Sequence, residues 1–376
     1  LAAHDFAQAM GAPEVVLTRA RKQNGVETVA SRFLQRLAAI APEQAWKEAC
    51  GRGEDYRSLA RALERPQPAP PIERPAPRPP VAARPTRLSV TDIETLIRDP
   101  YSIYARYVLG LEPLEEVDAD PGAAERGTIL HEALAKFVQA HPESLPADAL
   151  DRLVALGRES FARVRDFPGV IAVWWPRFER IARWFVAEER ERRKKIARIL
   201  AEARGKIELD IGGSTFTLSA QADRIEVLKD GSVAVVDYKS GEAPTLPQAL
   251  TGLAPQLPLE AVIARSGGFE HVKVDARIDE IAVIRLSGGN PAGELRVLDP
   301  AKTTGNASEL AKRLAVRTAD DLAAVAKKKL VALLSAFADE GAPYHSIPRP
   351  KWRGRFGRYD HLARIKEWSA DTGAVE

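Results

Sequence analysis

Apolar positions recur with helical spacing twice in the first sixty-odd residues. "SRFLQRLAAIA" (31–41) predicts an amphipathic helix with Ser31 placed to cap it, and "YRSLARALE" (56–64) predicts a second, short one. "PEVVLTRARK" (13–22) predicts a strand running into a basic turn. The segment 66–86 then holds nine prolines, a composition that cannot form helix or sheet and predicts an extended, semi-rigid linker between 1–65 and 87–376. Beyond it, "SVTDIETLIRDPYSIYARYVLGL" (89–111) predicts helices, with Ser89 and Asp92 as a capping box and Pro100 restarting the path. "ERGTILHEALAKFVQAH" (125–141) is a helix by its spacing, and two long helical segments, 146–165 and 174–204, form an insertion of about 146–204.

The period then shortens from 3.6 to 2. "KIELDI", "TFTLSAQADRIEVL" and "VAVVDYK" predict three strands joined by "GGS" and "KDG". A helical segment spans 246–265, followed by the strands "EIAVIRLSGG" and "ELRVLD". Asn306 is placed to cap a helix, with Glu309 in the reciprocal position. A longer helix is stopped by Gly341 ahead of Pro343. The class is α/β. The first sixty-odd residues hold too little apolar material to stand without a neighbour.

The most informative stretch is "VVDYKSG" (235–241). A strand covered on both faces ends there with a carboxylate and an ammonium, and residues two apart on a strand share a face. If Lys229, Asp230 and Gly231 form a three-residue loop, Leu228 faces Ser232, and counting back sets Asp223 opposite Asp237. Two carboxylates side by side repel. A divalent cation relieves that repulsion; Mg²⁺ takes a few carboxylates and keeps several waters. Lys239 is then placed to orient a water or to stabilise charge growing on a phosphate. The plainer alternative is a cross-strand ion pair at a sheet edge. His131 lies four residues after Gly127 on one helix face, where a close helix–sheet approach would let it reach the cation. Taken singly, a helical His131 or Gln256 is more commonly an ordinary core or surface residue.

Charge adds little. Lys and Arg total 55 against 52 Asp and Glu, which neither requires nor excludes nucleic acid. The single cysteine, Cys50, excludes a disulfide framework, a zinc ribbon or a four-thiolate iron–sulfur site within this chain. A reducing cytoplasm is the simplest compartment. The sequence shows no secretory signal and no apolar run of membrane-spanning length. Beginning at Leu1, it reads as a piece of something longer. "RERRKK" (190–195) mixes with Glu on a helix and reads as a solvated face. "RPKWRGRFGRY" (349–359) suits either single-stranded DNA or a partner subunit.

"GTILH", "ADRIE", "VVDYKSG" and "QLPLE", in that order, resemble the RecB-type branch of the PD-(D/E)xK nucleases. With "LSVTDIETLIRDPYSIYARYVLGL", "GRYDHLARIKEWS" and "LAAHDFAQAMGAPEVVLTRARK", the chain is similar over nearly its whole length to the AddB family of AddAB helicase–nucleases, the alphaproteobacterial kind above all. The resemblance implies a restriction-endonuclease-like core: a mixed central sheet flanked by helices, with added helical segments. It implies an Mg²⁺-dependent deoxyribonuclease (Mn²⁺ being an alternative) that trims DNA during double-strand-break repair beside an AddA-type helicase. It further implies His131, Asp223, Asp237 and the Tyr238 carbonyl as metal ligands, Lys239 as catalytic lysine and Gln256 as a supporting residue. Where the family often has Tyr, this chain has Glu260, a further acidic group close to the expected metal. Some relatives carry an iron–sulfur staple; with one cysteine, this domain must hold its ends by packing. "VVLTRA" resembles the last motif of superfamily 1 helicases, with Arg19 the phosphate-contacting residue. No GxxxxGK[ST] is present, so the chain is not expected to bind ATP unaided. A non-catalytic DNA-binding scaffold, a stand-alone Cas4-like exonuclease and a structural subunit that serves a helicase partner remain as alternatives.

Overall fold

The structure, a computed structural model, describes residues 1–376 apart from 24, 66–71, 113, 115–119, 349–356 and 370–376. The chain divides into two compact units, Leu1–Ile72 and Glu73–Glu376. Most of the basic, aromatic stretch 349–359 and the start of the proline-rich segment lie outside the described residues.

The first unit holds α1 (Ala2–Ala9), a two-residue pair of strands β1 (Lys22–Gln23) and β2 (Val26–Glu27), α2 (Arg32–Ile40) and α3 (Glu43–Glu64). Ser31 caps α2 by accepting from Leu34 N at 3.3 Å. Two expectations change. Residues 13–20 form no strand, and the short helix expected at 56–64 is the end of the longer α3. None of the residues in these three helices is buried, and among the described residues the unit has no buried core. Phe6 stacks on Phe33, with ring centroids 5.3 Å apart.

The second unit is built on a six-stranded mixed sheet. In chain order it runs β3 (Arg87–Ser89), α4 (Val90–Arg98), α5 (Pro100–Ile103), α6 (Ala123–Ala140), α7 (Ala149–Phe161), α8 (Pro168–Arg192), β4 (Ile196–Ile211), β5 (Ser214–Leu228) and β6 (Val233–Lys239). It continues with α9 (Leu246–Thr251), α10 (Gln256–Arg265), β7 (Ile278–Leu286), β8 (Gly293–Val297), α11 (Gly305–Arg313), α12 (Ala319–Ala338) and α13 (Ile365–Trp368). Ser89 and Asp92 form the capping box of α4, and Pro100 opens α5.

Long strands β4 and β5 make an antiparallel hairpin closed by Gly212 and Gly213, both left-handed. The helix expected over 174–204 is therefore corrected: α8 ends at Arg192, and 196–204 is the first part of β4. Ala, Arg, Leu and Glu in this stretch favour helix, but pairing with β5 along its whole length overrides that weak preference. Likewise the segment 246–265 is broken by left-handed Gly252 into α9 and α10. Asn306 is not a cap; Thr304, with extended backbone, holds that position ahead of Gly305.

Both faces of the sheet are covered. Val233, Val235, Ile225, Ile281 and Val283 meet α4, α9, α10 and α12 on one side. Val236, Tyr238, Ala282, Ile284 and Leu286 meet α6, α7 and α8 on the other. This double burial is why β6 reads as an almost unbroken apolar run. The ends of the unit also meet. Asp99 accepts from Ile347 N at 2.9 Å, Tyr359 Oη donates to Leu111 O at 2.7 Å, and Tyr101, Ile347, Ala363 and Ile365 form a small cluster. The later part of the proline-rich segment lies along this unit, Pro75 and Pro77 accepting from Ser346 and Tyr344 amides.

A buried ion network ties α8 to the sheet. Arg224, fully buried, reaches Glu189 at 2.6 Å and Glu226 at 2.7 Å; Arg192 joins Glu226 at 2.7 Å to Glu280 at 2.6 Å. Removing one member leaves an uncompensated charge in the interior. Arg224→Met should therefore lower stability by about 3–5 kcal/mol, read as a lower urea midpoint at unchanged slope. A midpoint within error of wild type would show that the network carries no such weight.

Candidate active site

The site begins with a turn. Gly231 is left-handed, with φ of 84°, its amide donates to Leu228 O at 2.9 Å, and Leu228 N donates to Ser232 O at 2.8 Å. Lys229, Asp230 and Gly231 are thus the loop, and the β5–β6 ladder runs back from Val227 opposite Val233 to Arg224 opposite Val236. Asp223 and Asp237 fall at the next step of that register, just past the last paired residues. There the strands part. Farther back on β5, Thr217–Ser219 pair with β3, while β6 stays with β7 as far as Lys239 opposite Arg285. The result is a fork. Across its mouth Tyr238 N donates to Asp223 Oδ2 at 2.9 Å.

Around the fork the structure gathers residues from two further elements, α6 and α10. Asp237 is 2% exposed. Lys239 Nζ lies 3.1 Å from both its oxygens, hydrogen-bonding Oδ1, while Oδ2 is buried without a hydrogen-bond partner. Gln256, at the start of α10, donates through Nε2 to Asp237 Oδ1 and to Glu260 Oε1, both at 3.1 Å. Its Oε1 accepts from Lys239 Nζ at 3.4 Å. Glu260 is wholly buried, and its Oε2 has no partner. From α6, His131 Nδ1 stands 3.4 Å from Asp223 Oδ2, its ring edge-on to Tyr238. Gly127 makes that approach feasible: a Cβ there would lie 3.3 Å from Ser240 Oγ. The Tyr238 ring backs His131, and its Oη accepts from Arg224 Nη1 at 3.1 Å. Arg19 lies in the first unit and donates to Thr28 O at 3.3 Å.

The electrostatics follow from crowding acids at a buried edge. Burial pushes the Asp237 carboxyl up to about 6, Asp223 adding to the rise and Lys239 opposing it. Burial, then the Asp237 charge, hold Glu260 well above the usual carboxylate range. Burial alone would lower Lys239; the Asp237 carboxylate outweighs it and the ammonium is raised. His131 is raised in the same way, burial being outweighed by its bond to Asp223.

Two depressions open onto the fork. One, of about 680 Å³, is lined by Gly127, His131, Lys136, Arg163 and Asp223. The other, of about 450 Å³, is lined by Glu94, Arg98, Asp237, Gln248 and Gln256. Lys239 and Glu242 border both. Glu94 and Arg98 of α4, 2.6 Å apart, were not visible as site residues in the sequence. Burial raises Glu94, with Lys239 among the charges that oppose the rise. The only local signal was a charged pair four apart on an otherwise amphipathic helix, which is also the signature of a solvated face.

The donor set suits a hard cation. Carboxylate oxygens and a backbone carbonyl are its ordinary ligands, and a ring nitrogen suits Mn²⁺ better than Mg²⁺. Asp237 Oδ2, which has the Lys239 ammonium 3.1 Å away but no hydrogen bond, is a buried oxygen that a cation would satisfy. Among the described residues, however, no three His, Cys, Asp or Glu side chains already converge as a finished metal cage. Among them too, no helix is long and apolar enough to cross a membrane.

Known proteins place this architecture. An uncharacterized protein of Rickettsia typhi is 32% identical over 189 residues, covering 49% of this chain and 22% of its own length. One of Rickettsia conorii is 31% identical over the same number of residues, 49% of this chain and 23% of its own. The exonuclease/helicase subunit RexB of Streptococcus pneumoniae is 29% identical over 200 residues, 48% of this chain and 17% of its own. The chain thus spans under a quarter of the length of these relatives. The family model of the PD-(D/E)XK nuclease superfamily matches residues 87–348, which hold the sheet, the fork and every residue gathered around it. On that match the chain belongs to the PD-(D/E)XK nuclease superfamily.

Proposed function

We propose that the second unit hydrolyses DNA phosphodiesters at the β5–β6 fork in a metal-dependent reaction. The observation that carries the reading is Lys239 Nζ held 3.1 Å from Asp237 at a strand end that Asp223 and His131 also reach. Asp223, Asp237, the Tyr238 carbonyl and His131 would hold Mg²⁺, or Mn²⁺ in its place. When bound, the cation polarises the phosphate and lowers the pKa of a coordinated water. Asp237 keeps Lys239 protonated, so a full positive charge stands where negative charge grows on phosphorus. Gln256 fixes both side chains through the two ends of one carboxamide. Lys136 and Arg163 in one depression and Arg98 in the other supply cations for the flanking phosphates.

The likeness to RexB supports a place in a helicase–nuclease complex of the AddAB type. There the chain would trim a strand delivered by an AddA-type helicase during double-strand-break repair, in the cytoplasm where chromosomal DNA lies. Incubating the purified chain with end-labelled single- and double-stranded DNA, with Mg²⁺ and with EDTA, tests the activity directly.

Two outcomes are expected beyond that. Asp237→Ala and Lys239→Ala should each slow single-turnover cleavage by about 10²–10³-fold or more, for different reasons. Asp237→Ala should also raise the half-saturating Mg²⁺ concentration, since a ligand is lost. Lys239→Ala should leave it unchanged or lower it, since a positive charge beside the cation is gone. Cleavage by Lys239→Ala at the wild-type rate under saturating metal would reduce the pair to a structural salt bridge. DNA affinity, measured in EDTA, should fall steeply with salt as Lys and Arg contacts release counterions; indifference to salt would instead favour a protein-docking role.

A further inference from the structure

We propose that Glu260 is a positioning residue: it holds the Gln256 carboxamide in the one orientation that serves both Asp237 and Lys239. The inference rests on the nuclease reading above. Gln256 Nε2 sits between two carboxyl oxygens, Asp237 Oδ1 and Glu260 Oε1, each at 3.1 Å, while its Oε1 faces the Lys239 ammonium. Turned over, the same amide would set its oxygen against two acceptors and its NH₂ against a cation. Asp237 alone would satisfy one of the two amide hydrogens; Glu260 satisfies the other and closes off the turned state. Glu260 stands one helical turn from Gln256 on α10, so the helix itself sets their spacing.

The placement is costly in a way that points to function. Glu260 is wholly buried, and its second oxygen, Oε2, has no hydrogen-bond partner. An apolar residue of similar size would sit there with less strain on the fold. A carboxyl group at this position is thus explained by what Oε1 does for Gln256.

The test compares Glu260→Leu with Glu260→Gln, which retains an acceptor. Glu260→Leu should melt at or above the wild-type temperature, yet cleave single-stranded DNA about 10–100-fold more slowly under single turnover at saturating Mg²⁺. Its half-saturating Mg²⁺ should stay within about twofold of wild type. Glu260→Gln should keep most of the rate. In a Gln256→Ala background, Glu260→Leu should cost less than about twofold more, because the group it positions is already gone. The proposal is overturned if the loss persists undiminished in that background, if Glu260→Gln is as slow as Glu260→Leu, or if the Mg²⁺ requirement shifts along with the rate. A readout independent of cleavage is hydrogen exchange of the Gln256 side-chain amide, identified in ¹⁵N spectra by its absence from Gln256→Ala. Exchange should speed more than about tenfold in Glu260→Leu, and unchanged exchange sinks the assignment whatever the activity. Wild-type protein that cleaves nothing with Mg²⁺ would instead sink the nuclease reading, leaving the exchange experiment to judge Glu260.

Discussion

Gly231 turns left-handed at the tip of the β5–β6 hairpin, and the register set there governs the rest of the second unit. A slip by one residue would carry every side chain of one strand to the wrong face. Arg224 and Glu226 would then face the layer that holds Val235 and Val283, and their bonds to Glu189 and Arg192 would be lost. The ion network therefore makes the wrong register expensive. Buried ion pairs add little net stability over an apolar core, but they discriminate strongly between alternatives.

The two sides of the sheet handle charge in opposite ways. Behind it, Glu189, Glu226 and Glu280 each meet at least one guanidinium. At the fork, Asp223, Asp237 and Glu260 gather around one ammonium, and two of their oxygens make no hydrogen bond. The imbalance of charge is local: behind the sheet each of these carboxylates has a guanidinium within 2.7 Å, although single atoms such as Glu226 Oε2 and Arg224 Nη2 stay without a hydrogen bond there too. Such a division is what a site for a cation or for a developing charge requires, because the groups must stay oriented while unsatisfied.

Legibility in the sequence followed the range of the interactions. Counting from Gly231 sets Asp223 opposite Asp237, and the ladder runs in that register, because a three-residue loop leaves the hairpin no freedom. Gly127 at the close approach of α6 to Ser240 was visible as a glycine out of place in a helix. What failed depended on partners far along the chain. Residues 196–204 carry helix formers and become strand only because β5 is there to pair with them. Glu94 and Arg98 border the site through the packing of α4 against β5 and α10, which no local pattern encodes. Glu260 was visible as an acid in an aromatic slot, but its bond to Gln256 required the helix start to be placed to the residue.

The fork opens on both sides, with Lys239 and Glu242 standing on the divide between the two depressions. A polymer laid across it has one arm in each, so the site works as a saddle rather than as a pocket. A saddle admits a chain from the middle as readily as from a free end and releases it by sliding. On the proposed reading, nothing in the shape of the two depressions would by itself favour an end over an internal stretch. The same depressions give the fork two approaches of different charge, His131, Lys136 and Arg163 on one side and Glu94, Arg98 and Gln248 on the other.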